Sequence, residues 1–323
     1  MKIVLAEPLV IEPEQLEAFA APLRQVGHEW VAYEDKPQNE EEWSRRIADA
    51  QVVMMANTPL PASVVEKATS LRYLNVAFTG LDHIPLALCK EKGIRVTNAA
   101  GYSDQAVAEL VIGMAINLLR KVKPADAAMA HGAAAVNFLG GELAGRTVGI
   151  IGTGHIGTRV AELFHAFGAR LLGYSRTEKP ECIALGMEYV PMAELLQRAD
   201  IVTLHVPQNE TTRGMMGKEE FAQMKKTALF INIARGPIVD AEALSEALKK
   251  GNLAGAGVDV FEKEPPLVDD PLLHAPNILL TPHVGYYTKE AMARRAEIVF
   301  ANTQSYLDHV NTLRGCSYRP FQG

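Results

Sequence analysis

The sequence has few cysteines and no long hydrophobic run. Its three cysteines, Cys89, Cys182 and Cys316, are odd in number, scattered and without CxxC spacing. This pattern fits a reducing cytoplasm and excludes both a disulfide framework and a zinc cluster. No apolar run approaches the roughly 20 residues that a membrane span needs. The N-terminal apolar stretch is too short and too soon acidic for a signal peptide.

An excess of positive charge is also lacking. The chain has 32 Lys and Arg against 38 Asp and Glu, which gives a formal net charge of −6. This balance favours solubility and argues against a nucleic-acid-binding surface. At 323 residues the chain is long for a single hydrophobic core, so two domains are expected.

The most informative stretch is a glycine motif that follows an apolar run. Residues 147–151 are typical of a buried strand, Gly152-x-Gly154-x-x-Gly157 follows, and apolar residues then recur at helical spacing. A strand, a glycine turn and a helix in this order predict a dinucleotide site. Gly152 would allow the tight turn, Gly154 would let the backbone approach a pyrophosphate, and Gly157 would let helix and strand pack closely. The helix N-terminus would direct its free N–H groups at the phosphates.

Short strands and helices alternate along the chain. Four strands are predicted within residues 1–98 and seven between residues 147 and 280. Such alternation is typical of an α/β fold with doubly wound parallel sheets. A long helix is predicted from residue 288 to about residue 309, and it is expected to close residues 1–98. We therefore predict a discontinuous substrate domain of residues 1–98 plus about 288–323, and a dinucleotide-binding domain of residues 99–287.

The strand after the glycine motif bears on the choice of dinucleotide. In this fold an acidic residue about 20 positions after the glycines holds the adenosine ribose. Here Ser175, Arg176 and Thr177 follow the strand, with Ser175 standing 23 residues after Gly152, and none of them is acidic. Arg and hydroxyl groups suit a 2′-phosphate, which predicts a preference for NADP(H). NAD(H) stays open, because Glu178 could still reach a ribose and Arg176 could simply face solvent.

Six further motifs occur in a fixed order. They are Val-Ala-Glu at 107–109, Leu-Ala-Gly-Arg leading into the glycine loop at 143–152, His-Val-Pro at 205–207, Ile-Asn-Ile-Ala-Arg-Gly at 231–236, Gly-Val-Asp-Val-Phe-Glu-Lys-Glu-Pro at 257–265 and Thr-Pro-His-Val-Gly at 281–285. With this ordered set the chain resembles, over nearly its whole length, the D-isomer-specific 2-hydroxyacid dehydrogenases. That family includes glyoxylate/hydroxypyruvate reductases, D-lactate dehydrogenases and phosphoglycerate dehydrogenase.

The resemblance implies an architecture as well as an activity. It implies a Rossmann NAD(P)-binding domain inserted in a flavodoxin-like substrate domain. It implies a cytoplasmic oxidoreductase that transfers a hydride between NAD(P)H and a 2-oxo acid to give the D-2-hydroxy acid, reversibly. It also implies a homodimer formed by the helix and loop around residues 101–145, although the usual tryptophan of that loop is absent. No metal, membrane or nucleic acid is expected as a partner.

The resemblance implies that Arg235, Glu264 and His283 form the catalytic set. Reduction of a 2-oxo acid needs a cation to hold the carboxylate, and an arginine offers a bidentate fork. It also needs an acid to protonate the developing alkoxide, and histidine titrates in the right range. Glu264 would hydrogen-bond the imidazole, fix its tautomer and stabilise its protonated form.

The resemblance also implies contacts with the cofactor. Asp259 and the carbonyl of Ile233 are expected to meet the nicotinamide carboxamide, and the N–H of Ile156 is expected to meet the pyrophosphate. The full set implied for the cofactor is Gly152, Gly154, His155, Ile156, Gly157, Ser175, Arg176, Thr177, His205, Val206, Pro207, Thr212, Ile233, Ala234, Asp259, His283 and Gly285. Among these, His155 within the glycine loop and His205 near the cofactor path are interpreted as local structure.

For the substrate, the resemblance implies a loop at Phe78, Thr79 and Gly80 whose N–H groups hold the carboxylate opposite Arg235 and His283. Phe78 stands where the family often has glycine, and its ring could narrow the pocket or form an apolar wall. Relatives that take phosphorylated substrates commonly carry a basic residue just before this loop, where this chain has Val76. A small, unphosphorylated acid is therefore expected.

Three alternatives remain at this point. One is a nucleotide-sensing scaffold of the corepressor type, which need not keep Arg235, Glu264 and His283 together. The others are a phosphoglycerate dehydrogenase and a phosphite- or formate-type dehydrogenase. Formate dehydrogenases pair the histidine with glutamine, so Glu264 argues against that chemistry.

Overall fold

The computed structural model describes residues 1–313 of the chain. It contains two units, one formed by Met1–Tyr102 with the chain from Thr288 onward, and one formed by Ser103–Tyr287. The end of the predicted substrate domain, residues 314–323 with Cys316, lies outside the described residues. Within residues 1–313 no helix combines the length and the apolar character needed to cross a membrane.

The discontinuous unit is built on a five-stranded parallel sheet. Its strands are β1 (Lys2–Leu5), β2 (Glu29–Ala32), β3 (Val52–Met55), β4 (Tyr73–Val76) and β5 (Arg95–Asn98). Its helices are α1 (Pro13–Gln25), α2 (Glu40–Ile47), α3 (Ala62–Lys67), α4 (Leu86–Glu91) and α12 (Lys289–Leu313). The strand order β2-β1-β3-β4-β5 is that of flavodoxin, so the flavodoxin-like fold is confirmed.

One of these strands was not predicted. The sequence analysis places four strands here, whereas the structure has a fifth, β2, at the edge of the sheet. All four residues of β3 are buried, but Glu29 and Ala32 of β2 are exposed and the two between them are half-buried. An edge strand of this kind lacks the continuous apolar run that marks a central parallel strand.

Helix α12 packs on the sheet of this unit through a polar residue of β4. Asn75 is fully buried, and its side-chain amide donates hydrogen bonds to the carbonyl oxygen of Val299 at 2.7 Å and to Thr303 Oγ1 at 2.9 Å. A buried amide without such partners would cost about 1–3 kcal/mol. The pair of bonds therefore fixes where the returning helix lies along β4.

The second unit has a seven-stranded sheet, also entirely parallel. Its strands are β6 (Thr147–Ile151), β7 (Arg170–Tyr174), β8 (Glu188–Tyr189), β9 (Ile201–Leu204), β10 (Leu229–Asn232), β11 (Gly255–Val258) and β12 (Ile278–Leu280). Its α-helices are α5 (Asp104–Arg120), α6 (Val122–Met129), α7 (His155–Ala166), α8 (Pro180–Ala184), α9 (Met192–Arg198), α10 (Lys218–Gln223) and α11 (Ala241–Lys249). The order β12-β11-β10-β9-β6-β7-β8 contains the Rossmann order with one strand added, so this fold is confirmed as well.

Both faces of this sheet are covered by apolar side chains. Neighbouring residues of β10 point to opposite faces: Phe230 packs in one buried cluster with Phe221 and Leu244, and Ile231 packs in the other with Phe164. Burial of each such side chain contributes about 1.5–3 kcal/mol. This two-sided burial explains why the strands are continuous apolar runs rather than alternating ones.

Candidate active site and cofactor crevice

The glycine loop lies where the strand order reverses, between β6 and β9. Gly152 has a φ of +95°, and a Cβ there would come within 2.6 Å of the carbonyl oxygen of His205, which follows β9. A Cβ on Gly157 would lie 1.9 Å from the carbonyl oxygen of Gly152. The two outer glycines are therefore required by close backbone packing.

The middle glycine faces open space. Apart from its neighbours in the chain, no atom of the described residues lies within 4 Å of the position that a Cβ on Gly154 would occupy, and α7 begins at the next residue. The N–H groups in the first turn of a helix have no partner within the helix, and such a helix start attracts phosphate. Gly154, His155, Ile156 and Gly157 therefore fit a cofactor pyrophosphate.

The end of β7 carries the residues predicted to meet the adenosine ribose. Ser175 is half-buried, and Arg176 and Thr177 are exposed, in the segment that joins β7 to α8. Glu178, which would favour a ribose without phosphate, is exposed in the same segment. Ser175, Arg176 and Thr177 thus offer a guanidinium and two hydroxyl groups beside the glycine loop.

The segment after β9 lies beside the glycine loop, where His205 faces Gly152. Removal of the His205 imidazole from water lowers its pKa to about 3, so the ring is neutral at physiological pH, and its Nε2 lies 2.9 Å from Thr203 Oγ1. Further along, the Thr212 hydroxyl donates a hydrogen bond to the carbonyl oxygen of Pro207 at 2.6 Å. Both His205 and Thr212 therefore hold the conformation of their own segment, as interpreted for His205.

Arg235 is positioned by an asparagine at the end of β10. Asn232 is 1% exposed; its side-chain oxygen accepts from the N–H of Ala234 at 3.0 Å, and its amide donates to the carbonyl oxygen of Arg235 at 3.0 Å. Sequence reasoning did not select Asn232, although Ile-Asn-Ile-Ala-Arg-Gly contains it. A single polar residue within the apolar run of residues 229–233 was the available signal.

The turn after Arg235 brings two strand ends together. A Cβ on Gly236 would lie 2.0 Å from the carbonyl carbon of Phe261, so the segments after β10 and β11 pass with no side chain between them. Only glycine allows backbones to approach so closely. Gly236 therefore brings the segment with Arg235 against the segment that leads to Glu264.

The imidazole of His283 is held by Glu264. His283 Nδ1 and Glu264 Oε2 are 2.6 Å apart, and Glu264 Oε1 accepts from the N–H of Phe261 at 3.1 Å. Burial alone would raise the pKa of Glu264, but the hydrogen bond and charge of His283, the Phe261 N–H and the charge of Arg235 bring it below its usual value. Glu264 is therefore a carboxylate throughout the neutral range. Its contribution to stability is present above the unfolded-state pKa and is lost as the pH falls through the lowered pKa.

His283 has a left-handed backbone conformation, with a φ of +53°. Asp259, fully buried at the end of β11, holds the loop that contains it. Its Oδ1 accepts from Thr281 Oγ1 at 2.5 Å and from the N–H of Val284 at 2.9 Å, and its Oδ2 accepts from the N–H of Gly285 at 2.8 Å. Desolvation raises the pKa of Asp259, and these bonds oppose the rise.

The predicted substrate loop, at Phe78, Thr79 and Gly80, belongs to the discontinuous unit. The Phe78 ring is 8% exposed, with its centroid 6.0 Å from that of Tyr102 and 5.8 Å from the guanidinium carbon of Arg295. The carbonyl oxygens of Phe78 and Thr79 accept from the N–H of Ala99 at 3.0 Å and from the Asn98 amide at 2.8 Å. The ring and both carbonyls are thus fixed within this unit.

The comparisons with known proteins identify the family. Residues 112–285 match the family model described as D-isomer specific 2-hydroxyacid dehydrogenase, NAD binding domain. The chain belongs to the D-isomer-specific 2-hydroxyacid dehydrogenase family. It is an oxidoreductase that uses a nicotinamide cofactor, as the resemblance predicted.

Three similar proteins illustrate the range of the family. A glyoxylate reductase of Korarchaeum cryptofilum is 39% identical over 80% of this chain and 80% of its own length. A D-3-phosphoglycerate dehydrogenase of Methanocaldococcus jannaschii is 40% identical over 90% of this chain, which spans only 55% of that protein. The structure of an acyclic imino acid reductase in complex with NADPH and D-Arg has a TM-score of 0.87 and 30% identity, and covers 96% of this chain and 98% of its own.

Three of the sequence motifs lie at the carboxyl ends of neighbouring strands. Arg235, Glu264 and His283 follow β10, β11 and β12, which are neighbours in the sheet and parallel. The carboxyl ends of parallel strands meet at one edge, where such folds bind their ligands. The hydrogen bond between Glu264 and His283 shows two of the three predicted catalytic residues in direct contact.

Replacing Asp259 by Asn should impair the His283 loop. Asparagine has one side-chain oxygen where aspartate has two, so its NH2 group would face a backbone N–H that has an acceptor in the wild type. The loss of that hydrogen bond would cost about 1–3 kcal/mol. We expect kcat/KM to fall by about five- to 100-fold, together with a lower free energy of unfolding. Steady-state kinetics and denaturant unfolding would measure both quantities.

Asp270→Asn is the matched control for this substitution. Asp270 uses one side-chain oxygen, which accepts from the N–H of Leu272 at 3.0 Å, and an asparagine can keep that bond. Its effect on kcat/KM should be within about twofold of wild type, as is usual for a change that breaks no buried contact. Wild-type kinetics in the Asp259→Asn variant would show that the loop does not depend on the carboxylate.

Proposed function

We propose that the protein is a reductase that prefers NADPH and converts a small, unphosphorylated 2-oxo acid, such as glyoxylate or hydroxypyruvate, to the corresponding 2-hydroxy acid, which has the D configuration wherever C2 becomes a stereocentre. The reaction is reversible. The observation that carries the proposal is the Glu264–His283 pair, with a separation of 2.6 Å, beside the strand end that carries Arg235. A nucleotide-sensing scaffold would have no need of this pair.

Each catalytic side chain has a distinct task in the proposed reaction. Arg235 holds the substrate carboxylate with its planar fork of N–H groups. His283 Nδ1 is occupied by Glu264, so the other ring nitrogen, Nε2, is the one that faces the carbonyl oxygen and delivers the proton to it. Glu264 keeps the ring oriented while the proton is transferred.

The nicotinamide, when bound, supplies the hydride to C2 of the substrate. Gly154, His155, Ile156 and Gly157 hold the pyrophosphate at the start of α7, and Val206, Pro207 and Thr212 line the opposite side of the crevice. The carbonyl of Ile233 would meet the carboxamide, and Ala234 and Gly285 would be further contacts with the cofactor. A direct contact of Asp259 with the carboxamide remains a prediction, because the structure already uses both of its oxygens within the chain.

The substrate class is proposed from the loop that follows β4. Val76, the last residue of β4, is apolar and fully buried, so this position offers no charge to a substrate phosphate. Phe78, Thr79 and Gly80 would present backbone N–H groups to the carboxylate, with the fixed Phe78 ring as an apolar wall. The phosphoglycerate dehydrogenase relative supports a phosphorylated acid as the second candidate.

A panel of 2-oxo acids separates the two candidates. Glyoxylate, hydroxypyruvate, pyruvate and 3-phosphohydroxypyruvate would each be assayed with NADPH and with NADH, with kcat/KM as the measurement. We expect the highest kcat/KM for an unphosphorylated acid with NADPH. A preference for 3-phosphohydroxypyruvate would contradict the proposed substrate class.

Replacing His283 by Ala should remove the proton donor. We expect kcat to fall by about 100- to 10,000-fold, the usual contribution of general acid catalysis, while the Kd of NADPH stays within about twofold of wild type. Because residue 283 has a φ of +53°, a parallel His283→Asn variant is needed, since Asn tolerates that conformation better than Ala. His165→Ala, at an exposed histidine of α7, is the control. Retained turnover in both His283 variants would exclude the acid role.

Replacing Arg176 by Ala should reduce the preference for NADPH. An exposed arginine that pairs with the 2′-phosphate contributes a charge-assisted hydrogen bond of about 1.5–3 kcal/mol, so KM for NADPH should rise by roughly ten- to 100-fold. KM for NADH should change by less than about twofold. Equal effects on the two cofactors would show that Arg176 does not bind the 2′-phosphate.

A homodimer is proposed from the segment that follows α5. Val122, Met129, Val136 and Leu139 expose between 46% and 85% of their surface, and such apolar groups close together in one segment are typical of an interface. A second copy of this chain is the proposed occupant. Sedimentation should give about twice the 35.1 kDa of one chain, and a Val136→Asp/Leu139→Asp variant that sediments like wild type would contradict this interface.

The buried free thiols Cys89 and Cys182 suit a cytoplasmic location.

A further inference from the structure

The hydroxyl group of Tyr189 connects two loops that are far apart in sequence. It donates a hydrogen bond to Thr153 Oγ1, inside the glycine loop, at 2.9 Å. It also accepts a hydrogen bond from the N–H of Lys179, which ends the segment after β7, at 3.0 Å. One oxygen atom thus joins the loop at the pyrophosphate position to the segment that contains Ser175, Arg176 and Thr177.

The position of the Tyr189 ring is fixed by Gly173, its partner on the neighbouring strand. In the β7–β8 pairing Tyr189 lies opposite Gly173. A Cβ on Gly173 would come within 2.9 Å of the Tyr189 ring and 2.5 Å of Met187 Sδ. The missing side chain at Gly173 therefore leaves the space in which the ring lies, and it sets the position of the hydroxyl group.

The hydroxyl group uses both of its hydrogen-bonding capacities. Burial raises the pKa of Tyr189, so the group is protonated at neutral pH and has one hydrogen to donate and lone pairs to accept. Its acceptor, Thr153, is 1% exposed. A second connection runs in parallel, since the N–H of Gly152 donates to the carbonyl oxygen of Tyr174 at 2.8 Å.

We propose that Tyr189 is a positioning residue for cofactor selectivity, which fixes the distance between the pyrophosphate subsite of the glycine loop and the 2′-phosphate subsite at Ser175–Thr177. NADPH must satisfy both subsites at once, whereas NADH lacks the 2′-phosphate and depends mainly on the glycine loop. The inference rests on the proposed preference for NADPH. It assigns part of that preference to a side chain that touches neither phosphate.

Tyr189→Phe removes the hydroxyl group and keeps the ring. We expect the Kd of NADPH, measured by fluorescence titration of the purified protein, to rise about two- to tenfold, the range of one neutral hydrogen bond. The Kd of NADH should rise less, and kcat at saturating NADPH should stay near the wild-type value. A residue with only a structural role would instead weaken both cofactors equally.

Tyr174→Phe is the matched control on the same strand pair. The Tyr174 side chain is 38% exposed, and among the described residues its hydroxyl group makes no hydrogen bond. Both Kd values should therefore be unchanged in this variant. A Thr153→Val variant removes the acceptor, and combining it with Tyr189→Phe should weaken NADPH less than the sum of the two single effects, because both remove the same bond.

The outcomes separate this inference from the proposed function. If the wild type binds NADPH and NADH equally, the proposed cofactor preference is wrong and the inference fails with it. If the wild type prefers NADPH and Tyr189→Phe keeps the same ratio of Kd values, the inference alone is overturned. Additive effects of the Tyr189 and Thr153 substitutions would overturn it as well. A reduced ratio with non-additive effects supports it.

Discussion

The buried carboxylate of Asp259 is the group on which the arrangement of the loop that contains His283 depends. Removing a carboxylate from water is costly, and three hydrogen bonds from Thr281, Val284 and Gly285 offset that cost. The same bonds hold His283 in a backbone conformation that a non-glycine residue rarely adopts. The unusual backbone conformation of His283 is thus maintained by a carboxylate at the end of the neighbouring strand.

Parallel strand pairing explains why residues from the ends of three successive strands lie close together. Asn232 ends β10 and Asp259 follows the adjacent strand β11, and the N–H of Asp259 donates a hydrogen bond of 3.0 Å to the carbonyl oxygen of Asn232. Gly236 has no side chain, which allows the segments after β10 and β11 to pack backbone against backbone. The positions of Arg235, Glu264 and His283 therefore depend on three backbone arrangements, at the ends of β10, β11 and β12, more than on any one side-chain contact.

The sequence was sufficient for the features that local pattern encodes. The apolar strands, the glycine loop and the order of the motifs predicted both sheets and the family, because a buried parallel strand and a tight turn each restrict residue type within a few positions. Strand β2 was not predicted, since an exposed edge strand restricts residue type far less.

Other features depend on tertiary packing and have no local signature. The link from Tyr189 to Thr153 spans 36 residues, and the seat provided by Gly173 appears only once β7 and β8 are paired. Asn232 and the loop-holding role of Asp259 were missed for the same reason. In each case the partner groups are backbone atoms or distant residues, which a sequence pattern does not specify.

The contact between Asn75 and α12 has a consequence for biosynthesis. A ribosome releases Asn75 long before Val299 and Thr303, so the buried amide has no partner while the intervening 200 or so residues emerge. The Rossmann unit, by contrast, is contiguous in the chain and can close as soon as β12 is made. Domains generally fold as units during synthesis, so the unit that contains Asn75 begins to emerge before the Rossmann unit and is completed after it.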